Sequence, residues 1–401
     1  MHSSLSPNLP SFVQTDRCSL GRKLRQGLRK SVQLLILPLA IGALQQSVQA
    51  QTSAGTDPVG FVSITALGNS DTRFSAPLHR PTNYQGVVGS VSGNVVTVQG
   101  TPAWTTVPQQ WVYTVGSQAN TYYVEFGSGA KEGVYYSVIA NGTNTLTLDL
   151  SSDTIEGSVI SGDTVRIIPY WTLAALFPGQ AGITGTSSIF GAGSCTKIFA
   201  TDATAVGVNL GATQTYYYYT GATNGGPGWR QIGGGFTNIK NDSILLQDTH
   251  FIIRQDGVPT SVITVSGVVP MNDKKTVIGT LAANTTQDNF VALEIPVPMT
   301  LAQSSLFQSG AFTGTASIFG NACDQLLVFN DTLVGTNKSA SGTYYYYTGA
   351  ANGGPGWRQI GGGFSTIRDN DVVFQPGSGY IIRKQATVTP VGVVWSTPLT
   401  Y

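Results

Sequence analysis

The sequence predicts an all-β fold: two tandem sandwich- or barrel-like repeats, with a small β-barrel-like domain inserted in the first. Three observations lead there. Charged residues are only 10% of the 401, whereas Gly numbers 49 and aromatics reach 10%; average proteins carry about 25% charge. Residues 215–236 read TYYYYTGATNGGPGWRQIGGGF, and residues 343–364 repeat them with the single change of Thr223 to Ala351. Between and around these blocks run short Val-, Thr-, Ile- and Tyr-rich stretches separated by Gly, Asn and Ser, the pattern of strands and tight turns. A net charge of +1 excludes a polyelectrolyte-type nucleic-acid binder, which needs clustered Lys and Arg.

The chain opens on an export address. Arg17, Arg22, Lys23, Arg25, Arg29 and Lys30 precede an apolar run, Val32 to Leu44, and then Val48-Gln49-Ala50. This is the order of a secretory signal occupying residues 1–50. The run is about 13 residues, short of the roughly 20 that span a bilayer. Cleavage after Ala50 would remove six basic residues and Asp16, leaving a net charge of −4. The expected location is outside the cytoplasm: periplasmic, cell-surface or extracellular. No membrane span is expected after cleavage.

The repeat extends beyond the identical block. Gly185 to Gly191 (GTSSIFG) matches Gly314 to Gly320 (GTASIFG), Cys195 matches Cys323, Asn241-Asp242 is paired with Asn370-Asp371, and Phe251 to Arg254 matches Tyr380 to Arg383. Residues 66–81 faintly resemble 282–298, but the second copy then runs directly into Thr300-Leu301-Ala302. The first copy is therefore expected to be split, 59–81 plus 167–270, around an insert at 82–166; the second copy is 276–401. Within the insert, Val87–Val91 and Val95–Val98 flank Ser92-Gly93-Asn94, a hairpin signal, and five or six short strands suggest a small barrel or sandwich. One-turn helices are expected at Leu173–Phe177 and Leu301–Phe307.

The Gly60-Phe61-Val62 start, Gly68 to Asp71, Tyr170-Trp171-Thr172 and the Tyr-to-Trp-Arg hairpins with their Ile-Ile-Arg ends resemble an uncharacterised family of secreted, β-rich bacterial proteins of verrucomicrobial type. The resemblance covers most of the chain after the signal. It implies export and a β-rich fold and supplies no catalytic residues.

Alternation places Tyr216 and Tyr218 on one strand face and Tyr217 and Tyr219 on the other, so one pair packs inward and the other is expected to be partly exposed. Two readings follow: a tightly packed structural hairpin, or a ligand platform. Exposed Tyr and Trp rings stack on sugars, and a planar Arg or a Gln amide can hydrogen-bond the hydroxyls. The platform residues would be Tyr217, Tyr219, Trp229, Arg230 and Gln231, with Tyr345, Tyr347, Trp357, Arg358 and Gln359 in the second copy. Two copies would allow bivalent binding to a polymer.

Catalytic motifs are missing from the sequence: no G-x-S-x-G elbow, Walker loop or HExxH occurs, and His79 and His250 lack a second ligand at metal spacing. No cofactor or metal is expected. His79 reads as a polar strand residue, and Asp369-Asn370-Asp371 as a turn before a strand. Export makes a Cys195–Cys323 disulfide chemically open; the alternative is two small buried hydrophobes. The sequence thus points to a structural or interaction protein without catalytic activity, whose partners would be polysaccharide or other surface proteins. The runner-up is a carbohydrate-binding module acting through the hairpins, and the third is a hydrolase whose carboxylates spacing cannot identify.

Overall fold

A computed structural model describes residues 57–112, 122–151 and 153–401; the expected signal segment lies outside them. The first strands are β1 (Val59–Ala66) and β2 (Asp71–Phe74). Six strands follow: β3 (Tyr84–Ser92), β4 (Val95–Val98), β5 (Tyr122–Phe126), β6 (Tyr135–Asn141), β7 (Thr145–Leu148) and β8 (Thr164–Pro169). They close into a barrel of order β3-β4-β7-β6-β5-β8. The β3–β4 turn is the predicted one, with Ser92 paired to Val95 and Gly93 in the left-handed region at φ 57, where a side chain would be strained. Strand β8 carries the barrel to Pro169, three residues past the predicted end of the insert. Val88, Val96, Val124, Phe126, Val138, Leu146, Val165 and Ile167 fill its interior.

After the barrel come β9 (Trp171–Thr172), α1 (Leu173–Leu176), β10 (Cys195–Ala200), β11 (Gln214–Tyr219), β12 (Gly228–Gln231), β13 (Ile244–Leu245), β14 (Phe251–Asp256) and β15 (Ser261–Val268). β1 pairs with β15 over eight residues, and β2 joins a five-stranded antiparallel sheet of order β12-β11-β10-β14-β2. Thus 59–74 pairs with 251–268 across the intervening barrel. The rest of the chain forms β16 (Lys274–Thr280), β17 (Gln287–Ala292), β18 (Met299–Thr300), β19 (Gln325–Val328), β20 (Gly342–Tyr347), β21 (Gly356–Gln359), β22 (Val372–Phe374), β23 (Gly379–Lys384) and β24 (Val391–Thr397). Its sheet has the matching order β17-β23-β19-β20-β21, and β16 pairs with β24 as β1 does with β15.

In each half the two-stranded ribbon lies over one face of the five-stranded sheet and closes an apolar core. Ile263 and Val265 meet Phe74, Ile198, Tyr216, Trp229 and Ile253 in the first. Ile278 and Trp395 meet Val291, Leu326, Trp357 and Ile382 in the second. Helix α1 starts where Thr172 Oγ1 accepts a hydrogen bond from the Ala175 amide at 3.3 Å, an N-cap. Its expected counterpart, Leu301–Phe307, is a pair of turns instead. Ser305 there adopts φ 51, which ends helical geometry.

The repeat register also needs one correction. Asn241 Oδ1 accepts from the Trp229 amide, and Asp369 Oδ1 from the Trp357 amide. Asn241 therefore matches Asp369 rather than Asn370. The sequence match slipped because β22 carries one residue more than β13, at the bulge where it pairs with β18.

The halves grip each other reciprocally. Arg254 binds Asp71 at 2.6 and 2.8 Å, and Asp71 also receives the Asn337 amide from the second half. Arg383 binds Asp288 at 2.7 and 2.9 Å, and Asp288 receives the Asn209 amide from the first. Such mutual use of equivalent residues is the signature of an isologous, two-fold contact, here built within one chain.

Candidate functional site

Both faces of the Tyr-rich strand are covered. Tyr216 lies in the main core of the first half. Tyr217 and Tyr219, expected as the partly exposed pair, are each 2% exposed. The segment Gly185–Ser194 folds across them. Thr186 bridges to Tyr219, the Tyr217 hydroxyl donates to the Ile189 carbonyl, and Cys195 and Ile189 complete the cluster. Tyr345 and Tyr347 sit the same way with Cys323 and Ile318. Sequence alternation assigned the faces correctly but carried no sign that a distant loop would cover the outer one.

Trp229 and Trp357 are 1% and 0% exposed, packed edge-on to Tyr218 and Tyr346 at 5.8 and 5.6 Å. Arg230 and Arg358 are buried as well. The Arg230 guanidinium donates to the carbonyls of Phe236 (2.9 Å), Trp229 (3.1 Å), Asn224 (3.1 Å) and Gly226 (2.7 Å). Arg358 makes the same four bonds to Phe364, Trp357, Asn352 and Gly354. A five-donor fork suits this work: it ties the Gly-rich turn to the loop that leaves the hairpin. The eight Tyr, Trp and Arg side chains proposed as a sugar platform therefore build the hairpin instead. Of the ten, only Gln231 and Gln359 remain partly exposed.

Cys195 and Cys323 are free thiols, so the disulfide does not form. Each is locked into its own tyrosine cluster, with Sγ 3.6 Å from the Gly191 carbonyl and 3.3 Å from the Gly320 carbonyl respectively. Burial pushes the Cys323 thiol up to about 11, and raises Cys195 too.

What the hairpins do expose is a set of other apolar side chains. Phe190, at the apex of the covering segment, meets Phe236 edge-to-face at 5.1 Å, and Phe319 meets Phe364 at 5.3 Å. These rings are 65%, 46%, 62% and 51% exposed. Ile232 lies beside the first pair, and Ile232, Ile239, Ile360 and Ile367 are all exposed. In the first half, Phe190, Phe236, Ile232 and Gln231 line a cleft of about 300 Å³ with the main chain of Gly233 and Gly235. The sequence signal for this site is that Phe190 and Phe236 both lie in the duplicated motifs, where the larger Tyr and Trp rings outweigh them in any reading by ring size.

A second constellation is buried where the barrel meets both halves. Lys274 Nζ lies 2.5 Å from Glu125, 3.3 Å from Glu294 and 2.8 Å from His79 Nε2. His79 also pairs with Glu294, and Arg166 stands 3.6 Å from Glu125. Burial alone would raise both carboxyls; Lys274 and His79 more than offset it and hold them below the usual range. Burial would lower Lys274, but the two glutamates keep it raised. His79, Glu125 and Glu294 have the atom types and closeness of a metal site. The Lys274 ammonium, however, already supplies the cation they need, so the residues do not fit an ion. Spacing could not find this cluster, because its members come from β5, β8, β16 and two connections far apart in sequence. Close by, burial next to Glu294 lifts Asp248 to about 6.

A polar cleft of about 350 Å³ opens beside Arg80, Tyr122, Thr172 and Asp242, with Arg80 donating to the Tyr170 carbonyl at 3.1 Å.

No known protein family, curated protein or solved structure matches the chain.

Proposed function

We infer that the chain is an exported structural or interaction protein of the cell surface, without catalytic activity, that attaches through two equivalent apolar surfaces. One observation carries the reading. Phe190, Ile232, Phe236 and Ile239 recur as Phe319, Ile360, Phe364 and Ile367, and are solvent-exposed in both places. The buried Tyr, Trp, Arg and Gly of the block are kept by packing. Exposed side chains are not, because substitutions there usually change stability by no more than about ±0.5 kcal/mol. Repeated exposed aromatics are therefore best explained by contact with something outside the chain. The non-catalytic part of the reading is supported by the burial of Glu125 and Glu294 against Lys274. The export part rests on the basic–apolar–Ala50 order, and N-terminal sequencing of secreted protein should begin near Gln51.

The attachment is tested by sedimenting the mature protein with the envelope fraction of the producing cell. A Phe236→Ala, Phe364→Ala double variant should stay in the supernatant while keeping the parent's circular dichroism and melting temperature. Equal sedimentation of parent and double variant would remove the basis for attachment through these surfaces.

A further inference from the structure

Resting on that attachment reading, we propose that the ligand is an uncharged polysaccharide, each repeat holding a sugar ring against its Phe pair. The first-half cleft, at about 300 Å³, lies at the small end of ligand sites, which suits one ring of a polymer rather than a folded protein surface. None of its lining side chains is charged, so nothing there would compensate an anionic or cationic group. The lining instead combines aromatic rings, one side-chain amide at Gln231 and the main chain of two glycines. Apolar rings meet the C–H face of a sugar, while amide and peptide groups both donate and accept hydrogen bonds to hydroxyls. Gly233 and Gly235 adopt φ 78 and 89, so the loop that offers its peptide groups is set by left-handed turns.

The site is preformed. Phe236 is the residue whose carbonyl accepts from Arg230 Nε, and Phe190 follows the residue whose carbonyl accepts from Tyr217. Both rings are thus carried on backbone fixed by buried donors, which lowers the ordering cost of binding. The second half repeats the arrangement through Arg358 with Phe364 and Tyr345 with Ile318. Two like sites on one chain match a ligand that itself repeats, and simultaneous engagement raises apparent affinity by about 10²–10⁴.

The experiment is a depletion assay of the full mature chain on cellulose, chitin and insoluble starch, with DNA-cellulose and heparin resin as charged controls. At least one neutral polymer should remove the protein, and its soluble oligosaccharide should compete. Phe236→Ala or Phe364→Ala should each weaken retention about 100-fold, and the double variant should not be retained, with melting temperatures unchanged. Failure of every neutral polymer to bind, or retention on the charged resins alone, overturns the glycan assignment. Equal retention of the double variant overturns it as well. Periodate treatment of the envelope fraction separates this inference from the attachment it rests on. If Phe-dependent sedimentation survives glycan oxidation, attachment stands and the ligand is not a sugar.

Discussion

The imidazole of His250 occupies the space that a Cβ on Gly379 would need. The two positions are equivalent: each immediately precedes the first aromatic of the returning strand, Phe251 in one half and Tyr380 in the other. Residues related by a two-fold contact that meet each other must share one volume. Here the first half contributes a ring, and the second contributes nothing. This asymmetry specifies pairing of unlike halves, because two His-bearing halves would collide there. Gly379→Ala should accordingly cost about 1–3 kcal/mol by overpacking in urea unfolding, and His250→Gly, which removes the Cβ as well as the ring that the new methyl would meet, should relieve most of that cost in the double variant. Additive losses in the cycle would show that the two sites do not compete for the same space.

A second exchange between the halves is chemical. Asp324 accepts from the Thr313 amide at 2.7 Å and pairs with Lys384, which donates to the Ala311 carbonyl at 2.8 Å. In the first half Thr196 accepts from the Thr184 amide at 2.9 Å and donates to Gln255 at 2.6 Å, with the Gln255 amide directed at the Gly182 carbonyl. One buried position holds an ion pair, and its equivalent holds a neutral pair of the same connectivity. Asp324→Thr alone strands the Lys384 ammonium in the interior, and removing one partner of a buried pair typically costs about 3–5 kcal/mol. Adding Lys384→Gln rebuilds the first-half solution and should recover most of that loss in denaturant titration. No recovery would mean that the surrounding packing, rather than the charge, sets the choice.

Charge burial near the junction predicts opposite pH responses from two neighbours. Asp248 is lifted to about 6 by burial and by Glu294, so the folded chain keeps a proton that the unfolded chain gives up at an ordinary aspartate pKa. Its contribution therefore worsens as pH rises from about 4 to 6 and stays unfavourable above that. Asp248→Asn should raise the melting temperature at pH 7.5 and leave it unchanged below pH 4. His250 is lowered to about 3 by burial and by Arg73, so the unfolded chain binds a proton that the folded chain refuses. That destabilises the fold as pH falls below about 6.5, with a slope of up to about 1.4 kcal/mol per pH unit. His250→Leu should flatten the acid limb of the melting profile. A D248N profile parallel to the parent's would contradict the raised carboxyl.

What the sequence revealed follows from how local each feature is. The all-β class, the barrel's first hairpin and the two-sided tyrosine strand are set by near neighbours and by period-two alternation. The covering loops are legible only as the repeated GTSSIFG and GTASIFG motifs; that they lie across Tyr217 and Tyr345 depends on contacts 25 or more residues away. The His79–Glu294–Lys274–Glu125 cluster joins positions up to 215 residues apart, and no spacing rule reaches that far. The misassignment of Trp229 and Arg230 to a surface had a physical cause too. Aromatic and guanidinium groups serve a packed hairpin and a sugar platform equally well, and only burial tells them apart.

Trp229 is 1% exposed and packs on Phe177 and Tyr218, so Trp229→Ala should lose about 3–5 kcal/mol, as expected for truncating a buried aromatic. Arg230→Lys keeps the charge but cannot reach four carbonyls in three directions, and the acceptors it abandons should cost about 1–3 kcal/mol each where water cannot replace it. Phe236→Ala, six residues from Arg230, removes a ring that is 46% exposed and should stay within about 0.5 kcal/mol of the parent. Urea unfolding of the three variants side by side therefore predicts two weakened folds and one intact fold. If Phe236→Ala were as damaging as Trp229→Ala, the exposed ring would belong to the hairpin's own packing, and the case for an external ligand at the Phe pairs would fall with it.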